Sequence, residues 1–233
     1  MANENELDCV PAFRQGIFKT GLDGQEGNGM NLIVGMLLHT ARDRYPGPEY
    51  QQMKREAGAR YRRLCEENRD IPKAMQRHTG MCIFPAMAVY GTLLAHGMEK
   101  EAAVDLVSGF FVGLSGKGFR VFSLWLHLFG NYHRYPANFV KNSLRDFGPE
   151  AGFAYVMPEK TDPAVARFDI IKCPYHEMCK KYQCLELNRA FCDSDDAKYG
   201  NLHPKLLWRR TGTLGKGASC CDFLIADTTR HQE

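Results

Sequence analysis

The alternation of apolar and polar positions splits the chain into a long helical stretch and a shorter mixed one. Leu7, Val10, Phe13, Ile17 and Phe18 fall on one face of a short helix interrupted by Pro11, and the glycines of GLDGQEGNG make a flexible loop after it. Asn31 to Arg44 has a helical pattern, with Leu32, Ile33, Met36, Leu37 and Thr40 on one face, until Tyr45-Pro46-Gly47-Pro48 stops it. Glu49 to Asn68 is strongly charged, with few apolar positions (Met53, Ala57, Tyr61, Leu64), and predicts a solvated outer helix. Residues 80–96 predict an uncharged, buried helix. Glu99 to Leu114 turns Ala103, Leu106, Val107, Phe110 and Phe111 inward. The glycines of GLSGKG (113–118) predict a turn between helices, because the run lacks the spacing and the preceding strand of a phosphate loop. Phe119 to Phe129, ending at Gly130, and Pro136 to Phe147 predict two more helices.

Near Gly148 the period changes. Phe153 to Met157 and Phe168 to Ile171 are short runs rich in aromatic and β-branched residues and predict strands. Cys173-Pro174 opens a helix over roughly 174–183, proline being suited to a first helical position. Leu187 to Asp196 predicts another. Leu206 to Thr213 and Cys221 to Ala226 predict a closing antiparallel pair, joined through LGKGAS. The expected fold class is α+β: an N-terminal helical bundle (1–148) packed on a small C-terminal antiparallel sheet with short helices (149–233). No linker separates the two parts, so one continuous domain is also consistent with the pattern.

Composition narrows the function. The hydrophobic content of 44% and charged content of 24% are ordinary for a globular protein. A net charge of +3, with the basic residues scattered among acids, gives no footprint for nucleic acid. The acidic, polar start MANENELDCV has no signal-peptide pattern. Gly80 to Gly97 is uncharged but barely long enough to span a bilayer, and Pro85, Gly91, Thr92 and His96 dilute it. A cytoplasmic protein that uses neither membrane nor nucleic acid, acts on a small molecule and has the option of homo-oligomers is the expectation.

Nine cysteines then change the picture, because six of them lie between Cys173 and Phe223. An odd count in such a chain favours reduced thiols, metal ligands or a catalytic thiolate over a disulfide framework. The spacing of Cys173, Cys179, Cys184, Cys192, Cys220 and Cys221 contains no C-x2-C, although His176 follows Cys173 at that distance, so zinc is an alternative that the spacing does not signal. Cys173 sits where a strand hands over to a helix, and a helix N-terminus lowers a thiol's pKa, so it is a candidate nucleophile. Asp193, Asp195 and Asp196 offer a general base. Arg209 and Arg210 point to opposite faces of a strand, so one of them faces inward, where a guanidinium can hold a carboxylate. Asp222, if buried, needs a partner such as Arg210 or a threonine hydroxyl. The histidines His39, His78, His96, His127 and His133 lie on or near apolar helices and read as core or edge residues, with His78, beside Thr79-Gly80, the one that stands out.

In order and spacing, Cys173-Pro174-Tyr175-His176-Glu177-Met178, Leu185-Glu186-Leu187, Cys192-Asp193-Ser194-Asp195, Pro204, Arg210-Thr211-Gly212-Thr213 and Gly217-Ala218-Ser219-Cys220-Cys221-Asp222-Phe223 resemble the L-2-amino-thiazoline-4-carboxylic acid hydrolase family. The resemblance covers about the last quarter of the chain. It implies a hydrolase acting on a C–N bond of a small cyclic amidine or related heterocycle, by a cysteine thiolate or metal-activated water, opening a thiazoline ring to a carbamoyl-cysteine product. On this reading Cys173 or Cys192 is the nucleophile, with Cys221 in reserve; Asp195 or Asp222 holds or protonates the amidine; Arg210 holds a substrate carboxylate; and Thr211, Thr213 and His176 lie nearby. No resident cofactor is implied, zinc remaining the alternative. The run Gly217 to Phe223, closing a small α+β unit, also resembles more loosely the 4-vinyl reductase domain, which implies a non-catalytic small-molecule- or zinc-binding sensor.

Overall fold

A computed structural model describes residues 31–231, apart from the side chains of residues 117, 118 and 121; the short helix expected before residue 28, and Cys9, lie outside this range. Asn31 is an N-cap whose side-chain oxygen accepts the Ile33 N–H at 2.9 Å and the Val34 N–H at 3.3 Å. It opens α1 (Leu32–His39), which buries Val34, Leu37 and Leu38. The turn at Pro46 leads into α2 (Gly47–Glu66), which buries only Tyr50, Met53, Ala57, Gly58 and Leu64 and gives its charged face to water, as its pattern predicts.

The uncharged helix begins earlier than expected. α3 (Lys73–His78) passes through a π turn at Thr79–Ile83 into α4 (Phe84–Ala95). Pro85 explains the widened turn: it has no N–H to donate and its ring crowds the preceding turn, and the Phe84 N–H bonds instead to the Thr79 carbonyl. The continuous helix Lys73–Ala95 is long and apolar enough to cross a membrane by length and composition, and 67% of its apolar window is buried by neighbouring helices.

α5 (Lys100–Phe129) corrects the sequence reading. It runs for 30 residues straight through GLSGKG, so no turn forms there. Glycine in a helix interior costs about 1 kcal/mol and does not forbid it, whereas proline would; no proline interrupts this stretch. The helix ends at Gly130, in the left-handed region with φ 65°. α6 (Tyr135–Asp146) starts with Pro136 in its first turn and buries Pro136, Phe139 and Ser143.

The C-terminal part is a four-stranded, wholly antiparallel sheet in the order β1-β2-β4-β3, with β1 Ala154–Val156, β2 Val165–Lys172, β3 Leu206–Arg209 and β4 Cys221–Asp227. The register places Ala166, Phe168 and Ile170 opposite Ile225, Phe223 and Cys221, so one face carries an apolar ladder. That face packs on α6, with Phe139 stacked on Phe168 at 5.8 Å. Between β2 and β3 come α7 (Pro174–Lys181) and α8 (Asn188–Tyr199). α8 lies along α5 and turns Tyr199 onto Phe139 and Trp208. Cys179, Leu187, Ala190 and Phe191 bury themselves in the same cluster as Val34 to Phe111, while a second cluster joins Leu126 and Phe139 to the sheet. The two hydrophobic clusters therefore each draw on both sides of residue 148.

Candidate active site on the inner face of α8

α8 places Cys192, Asp195 and Tyr199 on one face, at helical spacings of three and four. Arg210, just past β3, reaches back to this helix. Its Nη1 lies 3.3 Å from Asp195 Oδ2, and its Nη2 donates to Asp196 Oδ2 at 2.8 Å and to the Cys192 carbonyl at 2.8 Å. The guanidinium packs against the edge-to-face pair Trp208 and Phe223, at 5.7 and 5.4 Å from their centroids, and its side chain is 3% exposed. The expected inward-facing arginine is there, but it is committed to α8 and not open to a substrate carboxylate.

Three thiols meet this face from three elements. Cys173 follows β2 and is the N-cap residue of α7; Cys192 is on α8; Cys221 starts β4. Each is close enough to feel the others' charge. Burial pushes the Cys173 thiol up to about 12, although the backbone N–H groups of Tyr175 and His176 point at its sulfur as a helix N-terminus should. The expected lowering is thus outweighed: desolvation of the thiolate exceeds what two N–H groups return. Burial, then the negative Asp195, push Cys192 up to about 12 against the opposing Arg210 and a hydrogen bond with Thr213. Asn188 Nδ2 lies 3.6 Å from its sulfur. Cys221 is raised by burial and receives the Leu214 N–H at 3.2 Å. All three are neutral thiols at neutral pH.

Burial likewise raises the Asp195 carboxyl above its usual range, opposed by Lys198 and Arg210 and reinforced by Asp196. Its side chain keeps 36% of its surface accessible, so this carboxylate is crowded by protein yet still reachable from solvent.

The other expected residues have different places. Asp222 accepts the Thr211 N–H at 2.9 Å, the Thr211 hydroxyl at 2.6 Å and the Gly212 N–H at 2.6 Å. Desolvation pushes its pKa up, but these donors together outweigh it and hold the carboxyl low. Asp222 and Thr211 therefore shape the loop after β3 on the side of β4 away from buried Cys221. Gly212 suits this loop because a Cβ there would stand 2.9 Å from that of Ala218. Thr213 is buried, bonds Cys192 and caps the Lys216 N–H at 3.2 Å. His176 meets Cys173 through its backbone N–H; its ring Nδ1 is shielded from water with no hydrogen-bond partner among the described residues. The cysteines, carboxylates and histidines described include no group of three or more that could hold a metal ion.

A neighbouring group joins Cys82 and Lys198, which the pattern did not single out, to His78, which it did. The π turn presents Cys82, which meets the Tyr175 hydroxyl. That hydroxyl also lies 3.1 Å from His78 Nδ1, while His78 Nε2 donates to the Asp146 carbonyl at 3.0 Å. His78 is a satisfied histidine among Phe147, Phe153 and Tyr175, its pKa lowered by burial. Lys198 Nζ sits 4.8 Å from the Phe119 ring centroid and 4.7 Å from that of Tyr199. Burial lowers its pKa against the charges of Asp195, Cys82 and Asp146. The one legible signal was the i, i+3 spacing of Asp195 and Lys198; the aromatic box and the π turn arise from helix packing.

Residues 125–225 match the family model described as L-2-amino-thiazoline-4-carboxylic acid hydrolase, the family its motifs resemble. The matched stretch includes Cys173, Cys192, Asp195, Arg210 and Cys221, and stops short of α1 to α4. Comparison with curated proteins gave no match, and neither did comparison with solved structures.

Proposed function

We propose that the protein hydrolyses a small cyclic amidine of the 2-amino-thiazoline-4-carboxylate kind in the recess beside α8. The observation that carries this is the mutual proximity of Cys173, Cys192 and Cys221, with the crowded but accessible carboxylate of Asp195 beside Cys192 and Cys221, inside the stretch matched by a hydrolase family model.

A protonated amidine is a flat cation with an electrophilic carbon. Asp195 can accept hydrogen bonds from its N–H groups. The cation's charge next to Cys192 also favours the ionised thiol, since an opposite charge nearby lowers a thiol's pKa. A thiol that is neutral in the free protein thus becomes a nucleophile when the substrate binds. In the covalent route, Cys192 Sγ adds to the amidine carbon as Asp195 takes the thiol proton. The intermediate collapses with cleavage of the ring C–S bond, and the leaving ring sulfur takes that proton, which frees the product thiol. A water, deprotonated by Asp195, then displaces the Cys192 sulfur, and Asp195 returns the proton to it. In the direct route, water adds without the thiol step. The raised pKa of Asp195 suits it to act as the base in either.

The protein is mixed with 2-amino-thiazoline-4-carboxylate and the released product thiol is titrated over time, for wild type and the single variants Cys173→Ser, Cys192→Ser and Cys221→Ser. Loss in Cys192→Ser together with a mass adduct on Cys192 in the wild type supports the covalent route. Full activity in all three supports direct water attack. No turnover by the wild type refutes the hydrolase and leaves the non-catalytic binding module.

A further inference from the structure

With Arg210 committed to Asp195, Asp196 and the Cys192 carbonyl, the recess needs another cation if it takes a carboxylate-bearing amidine. We propose that Lys198 is that anchor: its ammonium binds the substrate's carboxylate and selects acidic over neutral substrates. This rests on the hydrolase reading above and deepens it.

Three observations support it. The first is position. Lys198 is one helical turn from Asp195, so a ligand lying along α8 can place a cationic end on Asp195 and an anionic end on Lys198. The two groups present opposite charges in the order that a zwitterionic amidine acid requires. The second is environment. The Lys198 ammonium is held against the faces of Phe119 and Tyr199, and among the described residues no carboxylate lies within ion-pair distance of it. Asp195, its neighbour on the helix, is bound to Arg210 instead. A partly desolvated ammonium with aromatic faces and only more distant carboxylates has room for a direct counter-charge, which a bound carboxylate would supply. The third is access. A cleft of about 490 Å³ opens between the C-terminal half of α5 and the end of α8. Phe119, Arg120, Ser123, Lys198, Asn201 and Leu202 line it, so Lys198 is reachable by a small molecule from outside. Exposed Arg120 at the same cleft favours anions on approach.

Calorimetric binding of 2-amino-thiazoline-4-carboxylate and of its neutral 4-carboxamide, to wild type, Lys198→Met and Lys198→Arg, tests the assignment independently of turnover. One lost charge-assisted hydrogen bond predicts that Lys198→Met weakens the carboxylate about 10- to 100-fold. Carboxamide binding should change little, and Lys198→Arg should keep the preference for the acid. Methionine retains an unbranched stem between the rings, and far-ultraviolet circular dichroism checks the fold; should Lys198→Met not fold, Lys198→Arg against Lys198→Gln reads the same difference. The proposal is overturned if wild type binds acid no better than carboxamide, if neither binds, or if Lys198→Met keeps the wild-type ratio. Failure of the hydrolase reading appears separately, as binding without turnover.

Discussion

Replacing Arg210 by methionine separates its two readings, clamp of α8 or open substrate ligand. The guanidinium makes three polar contacts, two to carboxylates, and packs against two rings with 3% of its side chain exposed. Hydrogen bonds to charged groups contribute about 1.5–3 kcal/mol each in general. Here the carboxylates are 36% and 47% exposed, so water restores part of that when the arginine is gone. The ring contacts add about 0.5–1 kcal/mol each, of which methionine keeps the dispersion part. A net destabilisation of about 2–4 kcal/mol follows, below the roughly 3–5 of a fully sealed pair. Urea unfolding followed by tryptophan fluorescence reads it: with a slope of about 2–3 kcal/mol per molar, the midpoint drops by about 1 M. Lysine should restore little, lacking the planar fork. A shift under about 0.2 M, paired with loss of substrate binding, would refute the clamp and return Arg210 to the role of carboxylate ligand.

Three further outcomes follow from the same contacts. Gly215→Ala should destabilise by about 1–3 kcal/mol, because the new methyl collides with the buried Asn188 amide; thermal unfolding measures it, and an unchanged midpoint contradicts the packing. His96 sits between Glu49 at 3.0 Å and Glu56 at 2.9 Å, and its pKa is raised, first by the Glu49 hydrogen bond. Its stabilising effect is therefore complete below the ordinary histidine value and lost as pH rises through the raised folded value; a melting series over roughly pH 5 to 9 should lose that slope in His96→Gln. The raised Asp195 carboxyl predicts that the acidic limb of the activity profile lies above the normal aspartate range and moves up again in Arg210→Met; a limb at the ordinary value speaks against Asp195 as the base.

Much of this was legible in the chain. The charged α2, the uncharged core helix, the stop at Gly130 and the antiparallel pairing of β3 with β4 all follow from period and breakers, and the order of motifs in the last quarter led to the family whose model matches residues 125–225. What was not legible depends on energy balances between distant residues. GLSGKG looks like a turn locally, yet α5 is held straight by packing along its length, chiefly against α8. Cys173 has the N-terminal position that lowers a thiol's pKa, but the number of atoms around the sulfur decides the sign, and no local spacing reports that. One of Arg209 and Arg210 was expected to face inward, and Arg210 is the one that does, while its partners, the neighbouring carboxylates of α8, become neighbours only once β3 lies beside that helix. Cys82 was silent and Lys198 showed only its i, i+3 spacing from Asp195, because the aromatic box and the π turn form only when α4, α5 and α8 come together.

The central claim is that Asp195 works on a cyclic amidine in the α8 recess. Its most direct test is the rate of thiol release from 2-amino-thiazoline-4-carboxylate by wild type and by Asp195→Asn, a near-isosteric change. Loss of a general base predicts a fall in kcat of about 10²- to 10⁴-fold with the fold retained; an asparagine variant as fast as wild type, or a wild type that releases no thiol, contradicts the account.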